Sequence, residues 1–155
     1  MMIEANSGHV ALDQHLAFVI DDDTGVHTFV AATLAEHGIK AESFQTAKTA
    51  LAAFDRVHPA IIFLDVALLQ SDAIDVLAGL GKLNYRGIVH LFSGSRLALL
   101  EAVQRLGARN GVTLGPHLRK PIAREAIVEI IAAMRLCGPP IQPLPYHLKV
   151  SRVLA

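Results

Sequence analysis

The sequence is short of charge. Charged residues make up 18% of its 155 positions, against about 25% in an average soluble domain. Fourteen basic residues offset fourteen acidic ones, so the formal net charge is zero. That balance gives no electrostatic basis for binding nucleic acid or an anionic membrane surface. Cysteine is nearly absent. Cys137 is the single one, so no internal disulfide forms, which fits a reducing, cytoplasmic setting. No apolar run approaches the roughly 18 residues of a membrane helix. Residues 1–15 contain Glu4 and Asp13 and no apolar core segment, which excludes a secretory signal. Internal repeats and low-complexity tracts are also missing. What the chain does have is apolar content, at 52%. That is too much for a disordered chain, and the length suits one domain.

The apolar residues come in two alternating patterns. Ala17-Phe18-Val19-Ile20, Ala41 to Phe44, Ala60 to Leu64, Ile88 to Phe92 and Val112 to Leu118 read as strands. The last is interrupted by Gly115 and Pro116. Between and after them, residues recur at helical spacing. Examples are Val26, Phe29, Val30 and Leu34, then Ile74, Leu77 and Leu80, and finally Ile127, Ile130, Ile131 and Met134. Gly38 is expected to end the first helix, and the third is expected to end near Gly81. Five strand–helix pairs in alternation predict an α/β fold, a parallel sheet covered by helices on both faces. Residues 1–15 read as a flexible leader and 16–137 as the folded domain. Residues 138–155, with four prolines, read as a linker or arm.

In such a sheet, ligands bind beyond the carboxyl ends of the strands. Asp21, Asp22 and Asp23 follow the first strand, Asp65 the third and Ser93 the fourth, while Lys120 and Pro121 lie near the end of the fifth. Several carboxylates in one small site raise each other's pKa, and a hard divalent cation relieves that conflict. Oxygen ligands without histidine or cysteine suit Mg²⁺. A lysine and a hydroxyl beside a metal-bound carboxylate are what phosphoryl transfer to that carboxylate needs. The bland reading of the three aspartates is a helix N-cap cluster, but capping needs only one; Asp23 is assigned that part. The other histidines show no metal-ligand spacing. His90, inside a strand, needs a hydrogen-bond partner or solvent.

The segments Phe18-Val19-Ile20-Asp21-Asp22-Asp23, Ile62-Phe63-Leu64-Asp65, Leu91-Phe92-Ser93-Gly94 and Arg119-Lys120-Pro121 together resemble the receiver domain of two-component response regulators, over about Ala17 to Leu136. The resemblance implies a flavodoxin-like (βα)5 fold with strand order 2-1-3-4-5. It makes Asp65 the phosphoacceptor. Asp21, Asp22, Asp65 and the backbone carbonyl of Ala67 become the Mg²⁺ ligands. Ser93 and His117 become the switch residues, Lys120 the charge partner of the phosphoryl group, and Lys120–Pro121 a cis bond. It implies a signalling domain rather than a true enzyme, with a sensor histidine kinase or histidine phosphotransfer protein as donor. Dimerisation through the fourth helix, fifth strand and fifth helix is expected by analogy. The long stretch between Ser93 and Lys120 is similar to receivers joined to EAL-type phosphodiesterase domains, which makes such a domain the candidate output. The family usually has proline four residues after the acceptor and glycine a few further on; here Leu69 and Ala73 stand there. The same residues allow two alternatives. One is a haloacid-dehalogenase-like phosphatase with Asp21 as nucleophile and Asp23 as acid–base. The other is a degenerate receiver that binds a partner without phosphorylation.

Overall fold

The apolar runs become the strands of one parallel sheet. The computed structural model describes residues 10–68, 72–94 and 96–137. The elements are β1 (Leu12–Ile20), α1 (Thr24–Ala35), β2 (Lys40–Phe44), α2 (Ala47–Ala52) with a 3-10 turn (Ala53–Asp55), β3 (His58–Asp65), α3 (Asp72–Lys82), β4 (Ile88–Ser93), α4 (Leu97–Arg109), β5 (Thr113–Leu114), β6 (Leu118–Arg119) and α5 (Arg124–Cys137). The sheet order is β2-β1-β3-β4-β5, with β6 also on β4. This is the doubly wound order of flavodoxin-like folds. The expected fifth strand is present as two short pieces. Gly115 and Pro116 fall between them, and proline has no N–H to donate to the ladder.

Strand alternation feeds two cores. Phe18, Ile20, Ile62, Leu64, Val89 and Leu91 face α2, α3 and α4, whose Ala50, Leu77, Leu80, Leu100 and Val103 meet them. Ala17, Val19, Ile61, Phe63 and Phe92 face the other way, onto Val30 and Leu34 of α1 and Ile127 and Ile131 of α5. All eight residues of β3 are buried, which is why its run is continuous rather than alternating. Each fully buried aliphatic or aromatic side chain contributes about 1.5–3 kcal/mol.

β1 begins earlier than its apolar run suggests, within the stretch read as a leader. Leu12 and Asp13 already pair with His58 and Pro59 of β3. Residues 12–15 alternate between half-buried and exposed before the buried run begins, so they carry no continuous apolar signal. α3 ends at Lys82, next to Gly81 as expected. Its stop is Asn84, in the left-handed region at φ 55°. The amides of Asn84 and Tyr85 bond back to the carbonyls of Gly81 and Leu80, the Schellman pattern. Gly81 also serves packing: a Cβ there would lie 2.6 Å from the Asn110 carbonyl oxygen at the end of α4.

Among the described residues, two histidines are buried, His58 and His90. Burial pushes both imidazoles below the ordinary histidine pKa. A histidine held neutral when folded takes up its proton more readily when unfolded, so stability falls as pH drops below about 6.5. Urea midpoints should therefore be lower at about pH 5.5 than at about pH 7.5, with His90→Gln showing a smaller drop. A midpoint that does not fall contradicts this.

Candidate functional site

The carboxyl ends of β1, β3, β4 and β6 bring the polar residues together. The run of three aspartates divides by role as soon as β1 ends. Asp21 has no exposed surface, and its amide bonds to the Phe44 carbonyl at the end of β2. Asp22 is exposed. Asp23 is the N-cap of α1 and accepts from the Gly25 amide at 2.8 Å. Asp65 ends β3; its Oδ1 accepts from the Ala67 amide at 3.0 Å, which folds the following turn back onto the carboxylate. One carboxylate oxygen each from Asp21, Asp22 and Asp65 lie within 4.8 Å of one another.

Lys120 reaches this cluster from just beyond β6. Its ammonium lies 2.9 Å from Asp21 Oδ2 and 3.2 Å from Asp65 Oδ2. The Lys120 amide donates to the Ser93 carbonyl at 2.8 Å, so the ends of β4 and β6 are fastened together beneath the site. The Lys120–Pro121 bond is cis.

The charges do not balance. Three carboxylates face one ammonium. Burial raises the Asp21 pKa; hydrogen bonds from the Asp23 amide and Lys120 oppose the rise, and the Asp65 charge adds to it. Burial alone would lower the Lys120 pKa, but its hydrogen bond to Asp21 and the charges of Asp65 and Asp21 outweigh that and raise it. Like charges this close are what a hard cation relieves, and an all-oxygen donor set fits Mg²⁺ or a similar ion.

The remaining expected residues are distributed as follows. Ser93 is buried at the end of β4. Ala67 is exposed in the turn after Asp65, and His117 is exposed just ahead of β6. Ala73 is buried in the first turn of α3. Leu69 and the tail from Gly138 lie outside the described residues. His90 has found its partner, the Pro116 carbonyl at 2.8 Å.

A family model of the response regulator receiver domain matches residues 17–132. Among solved structures, NtrX from Brucella abortus in complex with ADP is similar at 22% identity and TM-score 0.67, over 78% of this chain and 27% of NtrX. A response regulator from Colwellia psychrerythraea is 21% identical with TM-score 0.65, over 78% of this chain and 96% of that one. A CheY-like receiver domain protein from Methanospirillum hungatei JF-1 is 19% identical with TM-score 0.65, over 78% and 93%. At these identities the structural likeness carries the fold. The chain spans about a quarter of NtrX, 27%. No curated protein matches it.

Proposed function

The chain belongs to the response regulator receiver domain family, and from that premise we propose that it is a phosphoryl-accepting switch whose acceptor is Asp65. Receiver domains are phosphoacceptor signalling domains rather than enzymes in the ordinary sense. The observation that carries the assignment is the Lys120 ammonium, within reach of both Asp21 and Asp65 at 2.9 and 3.2 Å.

In this reading a carboxylate oxygen of Asp65 attacks the phosphorus of a phosphohistidine on a sensor kinase or phosphotransfer protein. The new O–P bond forms as the P–N bond breaks, and the imidazole leaves with the electron pair. Lys120, already beside Asp65, faces the charge of the incoming phosphoryl oxygens, and the preset ammonium needs no reorganisation to do so. Asp21, Asp22, Asp65 and the Ala67 carbonyl would hold Mg²⁺, which when bound offsets the excess carboxylate charge and screens the phosphoryl oxygens. The Ser93 hydroxyl donates to the phosphoryl group once it is in place. Because the Ser93 carbonyl is bonded to the Lys120 amide, that movement is felt at β6 and at His117 ahead of it.

The receiver unit runs from Leu12 to Cys137 in this proposal, with 138–155 as its linker. Dimerisation through α4, β5 and α5, an EAL-type output and a cytoplasmic location complete the reading. Among the described residues no helix is long and apolar enough to cross a membrane. The phosphatase alternative is disfavoured, because Asp23, its acid–base, is engaged as the α1 cap.

Incubation with acetyl phosphate should add one phosphoryl group in Mg²⁺ and none after chelation, read by intact mass. Failure of the folded chain to take up any group would favour the phosphorylation-independent receiver.

A further inference from the structure

At the other end of the sheet from the carboxylates, a cavity of about 470 Å³ lies between α5 and the starts of β1, β3 and β4. The size is in the range of small-molecule sites, roughly 300–1,000 Å³. Its origin is a shortage of side-chain volume. Ala126 and Ala133, seven residues apart on α5, face Ala60 at the start of β3 and Gly115 in the break between β5 and β6. Ile61, Ile88, Ile130 and Met134 make the walls apolar.

Gln14, Arg86, His90, His117 and Glu129 are the polar side chains on this lining, and of these His90 alone is buried. His90 is 5% exposed and borders the cavity. Its ring is fixed from two sides: it stacks near Phe63 at 5.8 Å, and Gly115 lies so close that a Cβ there would come within 2.3 Å of the ring. Nδ1 lies 2.8 Å from the Pro116 carbonyl oxygen. A carbonyl only accepts, so Nδ1 carries the hydrogen and Nε2 is left as a lone-pair acceptor. The ring's hydrogen bond to the Pro116 carbonyl is made through Nδ1 and leaves Nε2 on the far side of the imidazole. Nε2 is not an enclosed, unpartnered atom, a place held among the described residues by His27 Nε2, so water or a ligand's donor can satisfy it. Arg86 and Glu129, at the exposed edge of the lining, bring one charge of each sign, so neither an anion nor a cation is favoured.

We propose that this slot binds a small, flat, uncharged molecule carrying one hydrogen-bond donor on an apolar ring, a phenol or an indole, with the donor on His90 Nε2. The apolar walls take the ring, the acceptor selects the donor, and the fixed imidazole sets the orientation. Leu118 of β6 also borders the slot, two residues ahead of Lys120, so an occupant sits against the strand that carries the ammonium.

The test uses the full chain with 4-ethylphenol and ethylbenzene as probes, followed by calorimetry and by shifts of backbone amide resonances. Saturable binding of 4-ethylphenol is expected, about tenfold tighter than ethylbenzene, the worth of one hydrogen bond to a buried acceptor. In His90→Phe, which keeps an aromatic ring there, the two probes should bind alike. Ala126→Leu, which fills the slot from α5, should abolish binding of both while leaving the amide spectrum of the carboxylate cluster unchanged. Equal affinities in the native chain overturn the proposal. So does a preference that survives His90→Phe, or binding that survives Ala126→Leu. Absence of saturable binding also overturns it and leaves the slot to water or to another part of the chain.

Discussion

Asp65→Ala takes up no phosphoryl group from acetyl phosphate in Mg²⁺, while the native chain takes up one. The physical case rests on how the cluster divides its labour. Asp21 and Asp65 each have one oxygen on a backbone amide and one on Lys120, but Asp21 has no exposed surface. Asp22 is exposed but stands outside the lysine's two ion pairs. Asp65 alone combines a remaining exposure of 4% with the Lys120 ammonium at 3.2 Å. The variant should stay folded. Removing Asp65 also removes a charge that raises the Asp21 pKa, and Lys120 keeps its contact with Asp21. Asp21→Asn is the informative control: it weakens the metal site and slows uptake without ending it. Intact mass over a time course separates the three proteins. An adduct of native stoichiometry on Asp65→Ala would contradict the assignment and move the chemistry to Asp21.

Lys120→Met is expected to be the most damaging single change at the site for stability. The substitution keeps the apolar stem and removes the charge. It leaves Asp21 buried beside Asp65 with no cation, and breaking an ion pair by removing one partner costs far more than the pair is worth. The Lys120 side chain is about a quarter exposed, at 27%, so the loss is discounted to about 2 kcal/mol. The loss depends on pH in a defined direction. Without Lys120 the folded-state pKa of Asp21 rises further. A carboxyl whose folded pKa is raised loses stability as pH rises through that pKa. The deficit against the native chain is therefore larger at about pH 8 than at about pH 5. Mg²⁺ should recover part of it, since a ligand held only by the folded state stabilises it by about 2.7 kcal/mol at a hundred times its Kd. Urea unfolding of both proteins at the two pH values, with and without Mg²⁺, reads all three effects. Equal midpoints would show that the ion pairs at Asp21 and Asp65 carry no net stability.

Much of this site was legible because parallel strands buried on both faces announce themselves as continuous apolar runs, and their ends are then visible as the first polar residues. Asp21, Asp65, Ser93 and Lys120 were found that way, and the structure gathers them at one end of the sheet. The strand order came with the family resemblance, since alternation alone leaves it open. Three features were not legible. Residues 12–15 pair at the start of β1 through backbone hydrogen bonds that polar side chains do not advertise. Gly81 marked the end of α3, but its packing role was hidden, because only the position of Asn110 in space reveals it. The slot under α5 depends on Ala60, Gly115, Ala126 and Ala133 meeting in space. His90 was visible as a strand histidine in need of a partner, but neither the Pro116 carbonyl nor the cavity could be read from its neighbours in sequence.

The central claim is that Asp65 carries the phosphoryl group, and the most direct measurement locates that group in the native chain. An acyl phosphate on an aspartate is reduced by borohydride to homoserine, which marks the residue permanently. After phosphorylation in Mg²⁺, reduction and proteolysis, peptide mass mapping should find homoserine at position 65 and nowhere else. Homoserine at position 21 or 22, or a phosphoryl group that resists borohydride, would contradict the account.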